Sequence, residues 1–126
     1  MENLNIEATK YTPKVTLDVS GLIEIVGKSY PENTFEFYKP VSSWVEEYFE
    51  NIENDNTLIK LDLEYLNSSS LKAYFDLFDL FEIAHNDGKK LEVQWIYDEE
   101  NDIAEETGED FMDDFEILNI KLLPKS

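Results

Sequence analysis

The sequence predicts an α/β fold, a mixed sheet with helices packed mainly on one face, and three features carry that prediction. Every candidate strand alternates apolar and polar residues, which is the two-residue period of a sheet with one buried face. A sheet buried on both faces would read as unbroken apolar runs instead. Between the strands the apolar spacing changes to that of helices, giving the order β, β, β, α, β, α, β, α, β. A strand, a helix and a strand follow closely over residues 59–65, 71–86 and 91–97, implying a parallel pair joined by a right-handed crossover. At 126 residues, the chain has the length of one domain, residues 1–126, large enough for a core without metal or disulfide support.

Residues 4–8 make a short edge strand ahead of Thr12-Pro13, which breaks any helix. Val15, Leu17 and Val19 alternate with Lys14, Thr16 and Asp18. Ser20-Gly21 then turns the chain into a second run with Ile23 and Ile25 on one face, a β-hairpin. Gly27-Lys-Ser29 invites a phosphate-loop reading, which fails because Leu22 stands where the earlier glycine is needed and Tyr30-Pro31 follows where a helix should begin. Asn33 or Thr34 can cap a helix reaching about residue 51. Pro40 either kinks that helix or marks its regular start, where a missing N–H costs nothing. Val41, Trp44, Val45, Tyr48, Phe49 and Ile52 fall at helical spacing, as core residues do.

Asn54-Asp-Asn56 turns the chain into the stretch around which the rest is organised. Ile59, Leu61, Leu63 and Tyr65 alternate with Lys60, Asp62 and Glu64, so this strand buries one face. Asn67-Ser-Ser-Ser70 follows, and a helix begins directly after it. Short polar side chains at that position accept the unpaired N–H groups of a first helical turn, and their usual role is simply to cap. The same geometry places a serine hydroxyl at the positive end of a helix dipole, which suits a phosphate. Along this helix, Lys72, Asp76, Asp79, Glu82 and Asn86 form a polar stripe of only about 120°. Phe75 and Ile83 project within or beside it, so the helix either packs on two neighbours or keeps an apolar strip for another protein. Asp87-Gly88 ends it. Leu91, Val93, Trp95 and Tyr97 alternate with Glu92 and Gln94 in the next strand. Residues 98–114 are acidic and helical in part, and Leu118, Ile120 and Leu122 make the last strand.

A formal charge of −19 with ten Lys and Arg argues against binding nucleic acid or an anionic membrane surface, both of which require neutralising phosphates. Contacts with partners are expected to be basic or apolar. Disorder is excluded by 42% hydrophobic and 13% aromatic content. With no cysteine, no leader-like start and no apolar run near the roughly 20 residues that span a bilayer, a cytoplasmic protein is expected, without membrane insertion.

The chemistry-bearing inventory is thin. Asp98, Glu100, Asp102 and Glu109 match positions of a calcium loop, but Ile103 stands where its sharp turn needs glycine, so a solvated acidic face is the better reading and no metal is expected. The single His85 sits near a helix end, where the C-terminal dipole accounts for it. It also lies more than three turns from Ser68 along one helix, so no Ser-His-acid set can be assembled. Neither a catalytic residue nor a cofactor is expected, and the chain reads as a non-enzyme. Small-molecule binding under the sheet finds no polar constellation to support it.

Three motifs in register, Ser29-Tyr-Pro-Glu-Asn33, Tyr65-Leu-Asn-Ser-Ser-Ser-Leu71 and Trp95-Ile-Tyr-Asp98, resemble the bacterial SiaC family of regulatory phosphoproteins, and the likeness extends over nearly the whole chain. That family resembles the STAS-domain anti-anti-sigma factors, so the resemblance implies a STAS-like domain phosphorylated at the strand-to-helix corner. By position Ser68 corresponds to the phosphoacceptor, usually a threonine in the family, with Ser69 and Ser70 as alternates. The resemblance further implies a cognate serine/threonine protein kinase, a PP2C-type phosphatase that reverses it, and a diguanylate cyclase, making cyclic di-GMP, that the unphosphorylated form binds and activates. The partner surface is expected on Asn67, Ser68, Ser69, Leu71, Lys72, Phe75 and Asp79, the exposed edge of the helix next to the acceptor. The rival reading is a constitutive acidic adaptor or inhibitor that acts by charge and ignores Ser68.

Overall fold

The computed structural model describes residues 1–52 and 56–126. Strands β1 (Leu4–Ile6), β2 (Lys14–Asp18) and β3 (Leu22–Ser29) lead into helix α1 (Thr34–Asn51). There follow β4 (Thr57–Leu66), α2 (Ser68–Asn86), β5 (Leu91–Asp98), α3 (Asp102–Asp114) and β6 (Ile120–Lys125), which is the expected order. The six strands form one sheet in sequence order, β1 to β3 antiparallel and β3 to β6 parallel. Of the turn expected at Asn54-Asp-Asn56, Asn54 and Asp55 lie outside the described residues.

Alternation decides which face is covered. Val15, Leu17, Ile23, Ile25, Ile59, Leu61, Leu63, Val93, Trp95 and Tyr97 are buried on one side of the sheet, in a single cluster with the apolar stripes of all three helices. The other side carries charged residues paired across strands: Lys60 with Glu24 at 3.6 Å, Lys121 with Glu92 at 2.9 Å and Lys125 with Asp62 at 2.6 Å. Partly exposed pairs of this kind contribute about 0 to 1 kcal/mol each, so the stability lies in the helix-covered face.

Some sequence expectations need correction, among them Leu118, which lies in the bend before β6 rather than in the strand. Val19 lies beyond the end of β2 and is exposed, because Asp18 already turns the chain by accepting the Ser20 and Gly21 N–H groups at 2.8 and 3.0 Å. Tyr65 is not on the buried face. Gly27 pairs with Leu63 but Lys28 with Tyr65, so Glu64 is an extra residue in β4 and the inside-outside alternation inverts after it. Tyr65 consequently turns outward, 52% exposed, with its ring edge-on to Tyr30. Of the two readings open for Pro40, a helix α1 that runs through it is the one found. It starts at Thr34, with the Asn33 side chain accepting the Glu36 N–H at 3.0 Å, and runs through Pro40 on its solvent side, where the carbonyl left without a donor can reach water.

A further correction is Phe75, expected at an exposed edge. Its ring lies 4.6 Å from Phe111 of α3 and 6.1 Å from Phe115, half-buried against the core, while Ile83 is the one of the pair that projects into solvent. Helix α3 comes close enough to cover Phe75 because Gly108 faces the sheet. A Cβ there would lie 2.5 Å from Cδ1 of Trp95, whose indole N–H donates to the Ala104 carbonyl at 2.9 Å.

Candidate functional site

The β4–α2 corner separates three consecutive serines into three environments. Asn67 is the N-cap. Its side-chain oxygen accepts the Ser70 N–H at 2.8 Å, and its own N–H donates to the Ser29 carbonyl at 3.1 Å, which fixes the corner to the end of β3. Ser68, the first residue of α2, is exposed, and among the described residues no side chain holds its hydroxyl. Ser69 is exposed too, but its hydroxyl donates to the Asn67 side-chain oxygen at 3.3 Å and lies 2.7 Å from the Thr34 hydroxyl. Its single proton being used, Thr34 is the donor in that second bond.

Ser70 is wholly buried, with its hydroxyl 2.8 Å from that of Ser29. Ser29 is in turn 2.6 Å from the Tyr38 hydroxyl, which donates to Tyr74 at 3.0 Å. Since each hydroxyl has one proton, the chain runs one way, from Ser70 to Ser29 to Tyr38 to Tyr74. Burial pushes both tyrosine hydroxyls above their ordinary pKa, Tyr74 well above it, so these links stay neutral at physiological pH. Among the described residues, no buried side-chain polar atom lacks a partner. The corner is therefore held from beneath by β3 and α1 rather than by α2 alone.

The electrostatics single out the same corner. Helix α1 carries Glu36 in its first turn and α3 carries Asp102 and Glu105, whereas α2 has no acid there. Two large apolar side chains stand near the corner in nearly full contact with water, Phe35 of α1 and Ile103 of α3, each 75% exposed. Between α1 and α2, a groove of about 420 Å³ opens beside the corner, walled by Phe35, Tyr38, Ala73 and Ser69 and edged by Lys39 and Lys72.

Of the expected site residues, Asn67, Ser68 and Ser69 are brought together at the corner, and Lys72 and Asp79 are exposed along α2. Lys72 pairs with Asp76 at 3.4 Å, and Leu71 is half-buried against the core. Ser70 and Phe75 face inward, as described. His85 is 17 positions from Ser68 on the same helix, a rise of about 25 Å, so the two do not share a site. Asp98, Glu100, Asp102 and Glu109 span the end of β5, a turn and α3 rather than one loop. Thr34, Phe35 and Ile103 were missed. Phe35 is the second residue of α1 and looks like any first-turn helix residue, and only its 75% exposure marks it.

The pattern that defines SiaC family regulatory phosphoproteins matches residues 6–125. The chain belongs to that family. It is 38% identical over 117 residues, 90% of each chain, to an uncharacterized protein of Pseudomonas aeruginosa strain UCBPP-PA14. It is similar to the crystal structure of apo-SiaC from Pseudomonas aeruginosa, with a TM-score of 0.90, 35% identity and coverage of 98% of this chain and 99% of that one. It is likewise similar to a chain in the crystal structure of the diguanylate cyclase SiaD in complex with its activator SiaC, from the same species, with a TM-score of 0.91, 34% identity and 97% and 99% coverage. Two motifs that suggested the SiaC family converge at the corner: Ser29 from the first, Asn67 to Ser70 from the second. Among the described residues, no helix is long and apolar enough to cross a membrane.

Proposed function

We propose that this protein is a phosphorylation-controlled partner-switching regulator of a diguanylate cyclase. In its unmodified form it binds and activates the cyclase, and phosphorylation at Ser68 reverses this. It acts in the cytoplasm between a cognate serine/threonine kinase and a PP2C-type phosphatase, and is not itself an enzyme. The observation that carries the reading is the exposed Ser68 hydroxyl at the first position of a helix whose first turn holds no acid. The SiaC–SiaD complex supports the choice of partner by similarity.

A phosphate adds about −1.5 to −2 charges, and the helix N-terminus favours an anion by about 0.3 to 1 kcal/mol, so the fold tolerates the modification. Set against apolar or acidic groups of a bound partner, the same charge costs several kcal/mol. Binding therefore responds far more than stability does. The partner surface takes in Asn67, Ser68, Ser69, Lys72 and Asp79, with Phe35 as the exposed aromatic anchor in place of the half-buried Phe75.

Tagged protein recovered from its own host, with its phosphate mapped by mass spectrometry and co-purified cyclase assayed for cyclic di-GMP synthesis, tests this reading. Phosphate is expected on Ser68, and Ser68→Ala is expected to fold, to resist the kinase and to hold the cyclase constitutively. A Ser68→Ala variant that binds and releases partners like the wild type, with binding that instead weakens steeply with salt, would establish the acidic adaptor in its place.

A further inference from the structure

Three adjacent serines of identical chemistry would ordinarily compete for one kinase, yet the structure presents them unequally. From that inequality we infer that Thr34 and Ser29 are specificity-determining, positioning residues that confine phosphorylation to Ser68. The inference rests on the reading of this corner as a phosphoacceptor site. In the transfer, a serine Oγ attacks the γ-phosphorus of a nucleoside triphosphate held by a protein kinase. The Oγ–P bond forms and the bridging bond to the β-phosphate breaks. The hydroxyl proton passes to a base of the kinase, and the nucleoside diphosphate leaves. The acceptor must therefore offer both a free lone pair and a proton that can be turned toward the kinase.

Ser70 can offer neither, being wholly buried with its proton committed to Ser29. Ser69 has the exposure but not the freedom. Its proton points at the Asn67 side chain, and its oxygen accepts the Thr34 hydroxyl at 2.7 Å. Ser68 has exposure without either restraint. The Asn67 bond comes from within the same corner, but the Thr34 bond comes from another helix 35 residues earlier in the chain. Selection of the acceptor is thus set by α1 rather than by the serine tract itself. Thr34 is the part open to a clean test, since it lies at the partly exposed start of α1 whereas Ser29 is core.

The test uses the full chain, tagged and produced in its own host, with phosphate located by fragmentation mass spectrometry. Ser68→Ala is expected to carry almost no phosphate. Ser68→Ala with Thr34→Val, which keeps the side-chain shape but removes the donor, is expected to gain phosphate on Ser69 by roughly threefold to tenfold, the factor one exposed hydrogen bond commands. Ser68→Ala with Thr34→Ser restores the donor and is expected to return to the low level, which a merely structural effect of position 34 would not produce. If the valine variant melts lower than Ser68→Ala, Thr34→Ala replaces it with the same expectation. Phosphate on Ser69 in Ser68→Ala with Thr34 intact, or no gain on removing the Thr34 hydroxyl while wild type is modified at Ser68, overturns the inference and leaves the acceptor reading standing. Wild type modified at none of the three serines overturns both.

Discussion

Helices α2 and α3 begin in closely similar ways and differ in one respect. Each follows a parallel strand, and each is capped by an asparagine whose side chain accepts the N–H three residues on, at 2.8 Å for Asn67 and 3.1 Å for Asn101. Helix α3 then places Asp102 and Glu105 in its first turn, so its positive end is compensated permanently. Helix α2 places serines there and no acid, in a chain with 29 acidic residues. The difference fits the proposal that a charge is added at the start of α2. A phosphate on Ser68 would supply to α2 what Asp102 supplies to α3.

The sharpest way to erase that difference is Ser68→Asp, which gives α2 the start that α3 already has. Thermal unfolding is expected to shift little, because an acid at a helix N-terminus is worth about 0.3 to 1 kcal/mol. Cyclase binding is expected to fall by about 2 to 5 kcal/mol, since an unpaired charge in an interface costs that much; titration calorimetry reads it. The next largest effect belongs to α3. Gly108→Ala pushes a methyl group into Trp95 and the Leu122 side chain, and about 1 to 3 kcal/mol of stability should be lost in denaturant unfolding, as overpacked cores lose.

Removing the two caps probes what the helix starts share. Asn67→Ala and Asn101→Ala are each expected to cost about 0.5 to 2 kcal/mol in the same measurement. Only Asn67→Ala should also change where phosphate is found, because Asn67 holds the Ser69 proton whereas Asn101 reaches instead to the Glu64 carbonyl at 3.0 Å. A change in phosphate placement in both variants would mean that the caps act through general loosening. The smallest effect at neutral pH is the tyrosine pair. A phenol is charged when deprotonated, and burial raises Tyr38 and Tyr74 above their ordinary 10.0 in the folded state. Their contribution is therefore complete below pH 10.0 and lost as pH rises through the raised folded values. The melting temperature should be level through neutral pH, fall above pH 10.0, and fall less steeply in Tyr74→Phe.

Local features were legible in the sequence and long-range ones were not. The strands appeared because alternation is a property of neighbouring residues, and the Asn67 cap because capping residues are few and sit before helices. Tyr65 was misplaced because the extra residue at Glu64 inverts the alternation without leaving a mark in composition. The burial of Ser70 depends on Ser29, 41 residues away, and the covering of Phe75 on Phe111, which reaches it only because Gly108 lets α3 approach. A polar stripe on one helix says nothing of which neighbour covers its margin. For the same reason Phe35, and not Phe75, joins Tyr65 as an aromatic left in the open near the corner.

The most direct test compares the protein phosphorylated at Ser68 with the same protein treated with phosphatase, each titrated against a diguanylate cyclase that co-purifies with it from its own host while cyclic di-GMP synthesis is followed. The unmodified protein is expected to bind and to raise synthesis. The phosphorylated protein is expected to bind about 30-fold more weakly or worse, with an unchanged melting temperature. Equal binding by the two forms would contradict control through Ser68, whatever residue the kinase modifies.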